Sequence, residues 1–568
     1  MLRMDQPQVF YTYEWALAVC RAYREVLPPN IFLAYDSTDK LCGVAALAVA
    51  NRSRRASFLC STTADYCDFI SDPQDRRALV HAVIAELHGM RIRDINFANL
   101  PADSVTVAAL EDMQVSQKYH RFSRTGYICT QVDLKSLERY PDGTVVLPRR
   151  KMVRRSLNVF SRENPVWLDH SASSEALDVV LPKFMQAHVA RFLYTGRISN
   201  IARNERRVFL TELANLLAEQ GWIALSRLMS GDRPLAWNYG FHFHGSWFWY
   251  QPTFDNDLEK HSPGFCLLAK LIEHAATDPS TQVVDLGLGS EEYKDQFANS
   301  TREILYTTLR RSLVKHWREI ARYRAAEWIQ RRPALEDKAR GLVGAARRLG
   351  DRFQTQGLLS TIRSLGSRVW DLVWSRSEVA LYQWSAPQKS YPAELQSLHW
   401  DQLATAAMQY SDDPATLDYL LRSAARLRRG KEKGYALVDK SGSVLHIAWV
   451  GDFQDFFLAE LNSSIEAPNA NCSMIFDCWT PVAMRGQGYY ARTIAEIARG
   501  LQEHGKQAWI FSATTNVAST RGVEEAGFRR MYSLVRTRLL GRQWIRRQNS
   551  DLEFSEPQVR ISSQDPAA

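Results

Sequence analysis

The chain has 568 residues, more than a single hydrophobic core accommodates, and we predict two to four domains. Its composition, 45% apolar and 23% charged, is that of an ordinary globular protein. The sequence shows no uninterrupted apolar run of about 18 residues, and its cysteines are scattered without a Cys-x-x-Cys pair or a Cys/His cluster. The sequence therefore predicts neither a membrane-spanning helix nor a disulfide framework nor a zinc site, and we expect a cytoplasmic protein without a bound metal.

The net charge of +9 is concentrated in one segment. Residues 301–380 hold 17 Lys and Arg against 8 Asp and Glu, so the rest of the chain is close to neutral. This segment is rich in apolar residues and lacks motifs that read bases. Its charge therefore does not indicate a nucleic acid as the partner.

From residue 1 to about 310, short apolar runs alternate with helical stretches, a pattern typical of α/β or α+β folds. We predict two lobes of similar size, 1–140 and 141–310. The clearest predicted elements are the helix Asp75–Met90 and the strands Ile31–Tyr35, Leu41–Val49, Trp222–Leu228, Ala236–Tyr250 and Val283–Gly287.

Residues 311–389 are predicted to form a basic helical connector. Apolar residues from Leu342 to Leu372 recur near helical spacing, and five glycines divide the pattern into short helices. Two interpretations stay open for this connector. One is a solvated spacer, which the acidic residues among the basic ones favour. The other is a helix on an anionic membrane surface, with Trp370 and Trp374 at the interface.

Residues 390–547 are predicted to form a third unit, followed by a disordered polar tail, 548–568. A helical stretch, Pro392–Arg428, precedes two strands whose connecting turn contains glycine, which is typical of a β-hairpin. The predicted elements after the helix are, in chain order, the strands Gly434–Val438, Val444–Val450 and Met474–Thr480, the helix Tyr490–Glu503, the strand Ala508–Ala513, another helix and a strand near Tyr532–Thr537.

The loop after the strand Met474–Thr480 has the composition of an anion site. Its two glycines allow consecutive N–H groups to turn toward one point, and the following helix start adds unpaired N–H groups and a positive dipole end. Such a loop suits a pyrophosphate. We expect the contacts to come from Arg485, Gly486, Gln487, Gly488, Tyr489 and Tyr490.

This loop and the residues after it resemble the GNAT superfamily of acyltransferases. The family binds the pyrophosphate of acetyl-CoA through an Arg/Gln-x-x-Gly-x-Gly/Ala loop, which Arg485 and Gly488 match, although Tyr490 replaces the usual last small residue. The family's later Asn-x-x-Ser and Gly-Phe motifs are matched by Asn516, Ser519, Gly527 and Phe528. The resemblance implies a GNAT fold, an acyl-CoA donor, and a place for Asn516 and Ser519 beside the CoA arm.

Acyl transfer needs a base for the nucleophile, donors for the oxyanion and an acid for the departing thiolate. Asp477, on the strand before the loop, is a candidate base, with an ion-paired strand residue as the alternative. The tyrosine that often serves GNAT enzymes as the acid aligns with Val523. Tyr489, Tyr490 and Tyr532 are therefore candidates for this role, each with a packing aromatic as the alternative.

A second set of motifs lies in the first 310 residues. Ser262 as the N-cap and Pro263 at the first helical position predict a helix start, and Gly264 leaves its amides accessible. Asp285-Leu286-Gly287 and then Tyr293-Lys294 follow. This order resembles the FemAB-like acetyltransferases of the CelD type, which have GNAT folds. The resemblance implies donor contacts at Pro263 and Gly264, and it places Tyr293 and Lys294 either at the donor or substrate or in a bracing role.

Together these resemblances predict transfer of an acetyl or other acyl group from acyl-CoA to an amine or hydroxyl. They point to a small-molecule, polysaccharide or glycolipid precursor as the acceptor, which would suit a peripheral position at the inner face of the membrane. Two alternatives stay open. Aminoacyl transfer from charged tRNA would require strong phosphate binding, against which the nearly neutral lobes argue. A non-catalytic acyl-CoA sensor would explain Val523. The sequence does not indicate an oligomeric state.

Overall fold

The computed structural model describes residues 1–289, 291–331, 374–385, 395–539 and 542–549. The chain divides into two units, Met1–Phe192 with Ser199–Arg331, and Leu193–Ile198 with Arg332–Ala568. Strands and helices are mixed in both, so the α/β class predicted from the sequence is confirmed.

Strands and helices alternate through residue 331. The strands are β1 Pro29–Tyr35, β2 Leu41–Ala50, β3 Arg55–Phe58, β4 Ile70–Ser71, β5 Asp94–Pro101, β6 His120–Asp133, β7 Val166–Ser171, β8 Ile223–Ser230, β9 Arg233–Phe243, β10 Ser246–Phe254, β11 Val283–Asp285 and β12 Ser300–Arg310. The helices are α1 Tyr13–Tyr23, α2 Pro73–Gly89, α3 Val105–Glu111, α4 Met113–Ser116, α5 Arg150–Phe160, α6 Ser174–Tyr194, α7 Asn204–Glu219, α8 Pro263–Ala275, α9 Glu292–Asp295 and α10 Leu313–Gln330. Short 3-10 turns lie at Val9–Tyr11, Asn200–Ala202 and Asn256–His261.

The first unit is built on one sheet, which contains 12 strands among the described residues, in the order β1-β2-β3-β5-β12-β6-β11-β10-β9-β8-β7, with β4 paired to β2. Strand β6 joins the two halves of this sheet, because it pairs with β12 on one side and with β11 on the other. Strand β12, which the sequence prediction placed in the second lobe, lies between β5 and β6. Such pairing between distant segments leaves no local sequence pattern.

Strands β10 and β11 form a parallel pair that opens at one end. They pair from Ser246 to Phe248 of β10, and the register of β10 against β9 then shifts before Gln251. Strands β3 and β5 form a second parallel pair, which is limited to three residues of each strand. Two strands that separate after a short parallel stretch leave a cleft at their carboxyl ends, where ligands of open α/β sheets bind.

Helix α8 covers the sheet beside this opening. Its sequence is apolar nearly all round, and Cys266, Leu267, Leu268 and Leu271 are fully buried. They pack with Trp247, among other residues of the sheet, in one hydrophobic cluster. A helix with so little polar surface requires cover on most sides, and this packing fixes the start of α8 next to the opening.

The second unit contains a separate sheet, in the order β14-β15-β16-β19-β20-β13-β21-β22. Its strands are β13 Trp374–Trp384, β14 Leu395–Ser397, β15 Lys433–Val438, β16 Val444–Asp452, β19 Cys472–Trp479, β20 Gln507–Ala513, β21 Phe528–Leu539 and β22 Arg542–Asn549, with a separate pair β17 Phe456–Leu458 and β18 Ser463–Ile465. Its helices are α11 Trp400–Gln409, α12 Pro414–Arg429, α13 Tyr489–Glu503 and α14 Val517–Glu525, and a 3-10 turn lies at Val482–Met484.

The predicted helical connector is only partly helical. Helix α10 lies within it, but Trp374–Trp384 forms β13, a strand between β20 and β21, so the helical prediction was wrong there. Val379 and Leu381 pack on one face of β13, whereas Ala380 and Tyr382 pack on the other. Because both faces are buried, this strand lacks a polar/apolar alternation. The predicted stripe from Leu342 to Leu372, with Trp370, lies outside the described residues.

Three smaller predictions were also wrong. The single strand Ala236–Tyr250 is the hairpin β9–β10, whose turn includes Gly245 at φ 77°. The predicted helical stretch Pro392–Arg428 contains the strand β14 before its two helices, α11 and α12. Strand β22 ends at Asn549, so the predicted tail begins inside a strand, and residues 550–568 lie outside the description. No helix among the described residues is long and apolar enough to cross a membrane.

Candidate active site

In the second unit, the predicted anion loop connects β19 to α13. Gly486 and Gly488 have positive φ angles of 80° and 75°, and a Cβ at either position would meet no atom within 4 Å. Gly488 is the N-cap of α13, and its carbonyl accepts the first helical bond from the N–H of Arg492. The N–H groups of the first helical turn have no partner inside the helix. The loop is exposed, and its backbone suits an anion such as a pyrophosphate.

The side chains of this loop are partly held in place. Arg485 is exposed, and its Nε donates a hydrogen bond of 3.3 Å to the carbonyl of Thr480. The hydroxyl of Tyr489 donates to Oε1 of Gln487 at 2.9 Å. The first of these hydrogen bonds holds the Arg485 guanidinium close to the loop that contains the two glycines.

Tyr490, the departure from the family motif, packs against α14. Its hydroxyl lies 3.1 Å from Oγ of Ser519. A Cβ on Gly522 would lie only 2.6 Å from Cδ1 of the Tyr490 ring, so the large side chain at 490 requires glycine at 522. Asn516 is the N-cap of α14, and its side chain accepts from the N–H of Ser519 at 3.1 Å. Asn516 and Ser519 thus lie near the loop, with polar partners inside the unit.

Asp477 sits on an irregular part of β19. Its φ is 46°, and the register of β16 against β19 shifts at this point. Its carboxylate forms an ion pair of 2.7 Å with Arg426, whose guanidinium lies 4.9 Å from the ring centroids of Trp449 and Phe476. This is the ion-paired arrangement that the sequence left open, and the role of Asp477 as a base stays a prediction.

Tyr532, one of the three tyrosines considered for the acid, and Val523, which aligns with the family's usual acid, are both in the core. Val523 is fully buried in the cluster under α13. Tyr532 is 1% exposed and packs in the cluster that includes Trp509, with the Arg547 guanidinium 4.1 Å from its ring centroid. Burial raises the pKa of Tyr532 to about 12 despite the charge of Arg547. A catalytic role for Tyr532 stays a prediction.

In the first unit, Ser262 is the N-cap residue of α8, as predicted from the sequence. It has a left-handed conformation, with φ 49°, and its side chain makes no capping hydrogen bond. Pro263 begins the helix as expected. A Cβ at Gly264 would lie 3.1 Å from Cδ1 of Phe254, so the missing side chain leaves room for this ring.

Lys294 and Tyr293 lie on α9 beside the β10–β11 opening. Lys294 is 7% exposed, and its Nζ donates to the carbonyl of Leu288 at 3.3 Å. The hydroxyl of Tyr293 accepts a hydrogen bond of 3.1 Å from Nε1 of Trp249. Burial raises the pKa of Tyr293 above its ordinary value, so its hydroxyl keeps its proton at neutral pH.

A cavity of about 520 Å³ occupies this opening. It is lined by residues 61–65, which follow β3, by Trp249–Gln251 of β10 and by residues 286–288 after β11. Lys294, Arg206 and Arg124 contribute cationic side chains. The size is that of a small-molecule site, and the two parallel pairs of the sheet both contribute to its wall.

Asp65 is the acidic residue of this cavity. It keeps partial exposure because it lines the open space, whereas protein surrounds it on the other sides. Burial, with the like charge of Asp285, raises the pKa of Asp65 to about 7, although Lys294 and Arg206 act in the opposite direction. A carboxyl group with this pKa exchanges a proton near neutral pH, as a general base must.

Asp285 braces the wall of the cavity behind Asp65. One carboxylate oxygen accepts from the hydroxyl of Tyr66 at 2.5 Å and from Nε2 of Gln131 at 2.8 Å, and the other accepts from the N–H of Gly287 at 2.8 Å. Gly287 has φ 74°, and a Cβ there would lie 2.8 Å from the carboxylate of Asp65. The glycine of the Asp-x-Gly motif therefore leaves room for the Asp65 carboxylate.

Arg206 and Tyr250 also line this cavity. Arg206 is 5% exposed, and its Nη2 donates to the hydroxyl of Tyr250 at 2.9 Å, while its Nε has no hydrogen-bond partner in the part of the chain that the structure describes. The Tyr250 hydroxyl donates in turn to the carbonyl of Thr63. Since no carboxylate of the described residues pairs with this buried guanidinium, it favours an anionic or strongly polarised ligand group in this cavity.

Residues 148–295 match the family model of the acetyltransferase (GNAT) domain. This segment is a GNAT acyltransferase domain. It spans the β10–α8–β11 segment and supplies Arg206, Tyr250 and Lys294 to the cavity, whereas Asp65 comes from the chain before the GNAT domain.

Solved structures match the chain at low similarity. FemX shares 10% identity over 54% of this chain and 92% of its own, with a TM-score of 0.38. L-PGS from Bacillus licheniformis shares 12% over 53% and 95%, with a TM-score of 0.35. A tandem GNAT protein from the clavulanic acid biosynthesis pathway shares 11% over 54% and 90%, with a TM-score of 0.32. No curated protein matches the chain. These similarities are too distant to assign a substrate.

Of the residues singled out from the sequence, Lys294 lines the cavity, and Tyr293 and Asp285 lie beside it. Asp65 and Arg206, which also line it, were not singled out. Asp65 lies in a loop with no motif around it, and Arg206 is one of many arginines on amphipathic helices. The available signal for Arg206 was its position on the same helical face as Phe209, Leu210 and Leu213 of α7, where a charged residue is unusual. Among the described residues, no group of His, Cys, Asp and Glu could hold a metal ion.

Proposed function

We propose that the cavity of the first unit is the site where an acyl group passes from acyl-CoA to an amine or hydroxyl of the acceptor. The observation that supports this most is Asp65, whose pKa of about 7 makes it a base at neutral pH, in a cavity that Lys294 and Arg206 also line. The GNAT domain supplies both cations.

The proposed reaction assigns one role to each group. The acceptor N–H or O–H loses its proton to Asp65 as its nitrogen or oxygen attacks the thioester carbonyl, and the C–S bond then breaks to release the thiolate of CoA. Lys294 donates to the oxyanion that forms on the carbonyl oxygen. Arg206 favours negative charge on the reacting group and holds the Tyr250 hydroxyl in position.

The donor is assigned to acyl-CoA in both units. In the second unit, Arg485–Tyr490 would hold the pyrophosphate, and Asn516 and Ser519 would lie beside the CoA arm. In the first unit, Pro263 and Gly264 at the start of α8 are the proposed donor contacts. The GNAT domain and the exposed, left-handed glycines of the second-unit loop support this assignment. The chemistry requires no metal.

The acceptor is proposed as an amine- or hydroxyl-bearing small molecule, glycan or glycolipid precursor. The cavity favours a polar acceptor, because its wall contains Asp65, Asn99 and two arginines. The resemblance to FemAB-like enzymes supports a cell-surface polysaccharide precursor.

Thioester consumption tests this proposal. The full chain is incubated with acetyl-CoA and a panel of amines and amino sugars, and released CoA thiol is measured for the wild type, Asp65→Asn and the control Asp39→Asn, which changes an exposed turn residue. We expect turnover in the wild type and the control and a loss of at least about 100-fold in Asp65→Asn. Full activity of Asp65→Asn would contradict the proposed base.

A further inference from the structure

Helix α10 has two different faces. Its inner face packs on β6 and β12: the Tyr323 ring lies 5.7 Å from that of Phe122, and Glu319 accepts from Nε of Arg310 at 2.9 Å. At the helix start, Lys315 forms an ion pair of 2.9 Å with Asp94. These contacts fix which side of the helix points outward.

The outer face combines apolar and cationic side chains. Val314, Trp317 and Ala321 follow one another at spacings of three and four residues, so they share this face. Val314 is 77% exposed and Trp317 is 58% exposed. Arg318 and Arg322 are exposed beside them, and neither forms an ion pair with any described residue.

The end of the sheet from which α10 starts is also cationic. Backbone hydrogen bonds join three of its residues, from the N–H of Arg93 to the carbonyl of Arg54 at 2.9 Å and from the N–H of Arg311 to the carbonyl of Arg93 at 3.0 Å. The exposed arginines at this end, none of which is ion-paired to a described residue, are Arg52, Arg54, Arg55, Arg91, Arg93 and Arg311. The acid among the first residues of these strands, Asp94, is already paired with Lys315.

Two kinds of partner carry the matching negative charge, namely a nucleic acid and an anionic membrane. A nucleic acid offers phosphates to the arginines but no apolar phase for Val314 and Trp317. A membrane surface offers both, because amphipathic helices insert aliphatic and tryptophan side chains at the headgroup level while arginines contact anionic lipids. The combination of exposed aliphatic residues with unpaired arginines therefore favours the membrane.

We propose that this cationic surface, formed by the outer face of α10 and the arginine-rich end of the first sheet, docks the protein on an anionic lipid bilayer. Val314 and Trp317 enter the headgroup region, and Arg318, Arg322 and the sheet-end arginines contact the lipid phosphates. The docking is peripheral and reversible. It is independent of the proposed acyl transfer.

Vesicle cosedimentation of the full chain tests this docking. We expect binding to vesicles of phosphatidylcholine with phosphatidylglycerol, weak binding to phosphatidylcholine alone, and release by high salt. The double variant Arg318→Gln/Arg322→Gln should bind about 25-fold more weakly, at roughly fivefold for each neutralised arginine. The matched control Arg154→Gln/Arg155→Gln neutralises two exposed arginines on α5 and should bind like the wild type.

The apolar contribution is tested with a second pair of variants. Trp317→Ala should weaken vesicle binding several-fold, whereas Trp167→Ala, which removes an exposed tryptophan from β7, should not. Binding that is equal for neutral and anionic vesicles, or unchanged in both α10 variants, would overturn the proposal. The proposal would also be overturned, in favour of a nucleic acid, if the chain bound a transfer RNA but not anionic vesicles and if the arginine variant lost this RNA binding.

Discussion

The segment β10–α8–β11 of the first unit and the segment β19–α13–β20 of the second follow the same plan. In each, a strand is followed by a helix and by a parallel strand that pairs only with the first half of the earlier strand. In each, the earlier strand has a register shift where the pair separates. The surroundings of the two openings nevertheless differ in the groups they offer to a ligand.

The backbone of the second opening is better suited to binding an anion, whereas the first opening has the side chain better suited to accepting a proton. Gly486 and Gly488 have left-handed backbone and open space beside them at the start of α13. At the start of α8, by contrast, the Phe254 ring occupies the space beside Gly264. Asp477 is tied to Arg426, and burial lowers the pKa of His446, next to Tyr490, to about 3. The first opening instead holds Asp65 with a pKa near neutrality. The glycine motif thus indicates a donor contact, and it does not locate the base.

The largest expected effect concerns Lys294. Lys294→Met removes the proposed oxyanion donor from the first opening, and we expect acyl transfer to fall by about 100-fold or more. The control Lys270→Met changes a half-exposed lysine of α8 that pairs with Glu273. Measured rates of CoA release should separate the two. Equal rates of CoA release in the two variants would contradict the proposal that acyl transfer takes place in the first opening.

The second effect is on stability, through Asp65. The pKa of Asp65 is raised from 3.8 to about 7 in the folded chain. Its carboxyl group therefore loses its proton at lower pH in the unfolded chain than in the folded chain. As a result, the free energy of unfolding falls as the pH rises from about 4 to 7. The penalty is fully present above pH 7. The full shift corresponds to about 4 kcal/mol, and water screens the partly exposed carboxyl group, so Asp65→Asn should stabilise the protein by about 2 kcal/mol at pH 8, with little change at pH 4. Thermal unfolding at both pH values measures this difference, and a stabilisation that is equal at both would contradict it.

The third effect concerns donor binding in the second opening. Gly488→Glu places a carboxylate at the start of α13 and should weaken acetyl-CoA binding there at least about tenfold. Gly442→Glu is the matched control, because Gly442 also has positive φ and open space but lies in the β15–β16 turn. Calorimetry of the full chain should show one site fewer in the first variant only. Unchanged stoichiometry in Gly488→Glu would exclude the loop as a donor site.

The smallest effect tests the packing that replaces the family's usual small residue. Gly522→Ala places a Cβ against the Tyr490 ring and should destabilise the second unit by about 1 kcal/mol. Tyr490→Ala removes that clash, so the double variant should recover part of the loss beyond additivity. Denaturant unfolding measures the coupling. Strictly additive losses would show that the two residues do not constrain each other.

The elements around each loop could be predicted from sequence because their signals are local. Helix α13, the strand β20 and the hairpin β15–β16 lie within one or two residues of their predicted bounds, since glycine turns and apolar runs mark them. Strand β13 could not, because its burial on both faces depends on β20 and β21. Strand β12 could not be assigned to the first half of its sheet for the same reason.

The candidate site was predictable only where a motif carried it. Tyr293, Lys294 and Asp285 were reached through family resemblance. The pKa of Asp65 depends on burial and on Asp285, which is distant in the sequence, and the free Nε of Arg206 depends on the packing of α7. Neither property is encoded in neighbouring residues.

The pH dependence of kcat/KM tests the central claim, that Asp65 is the base of acyl transfer in the first opening, most directly. For the wild type, kcat/KM should rise with pH and level off with an apparent pKa near 7, because the deprotonated carboxylate accepts the proton. Asp65→Asn should lose this rise together with most of the activity. A wild-type profile that is flat between pH 5 and 9, or a variant that keeps the rise, would contradict the assignment.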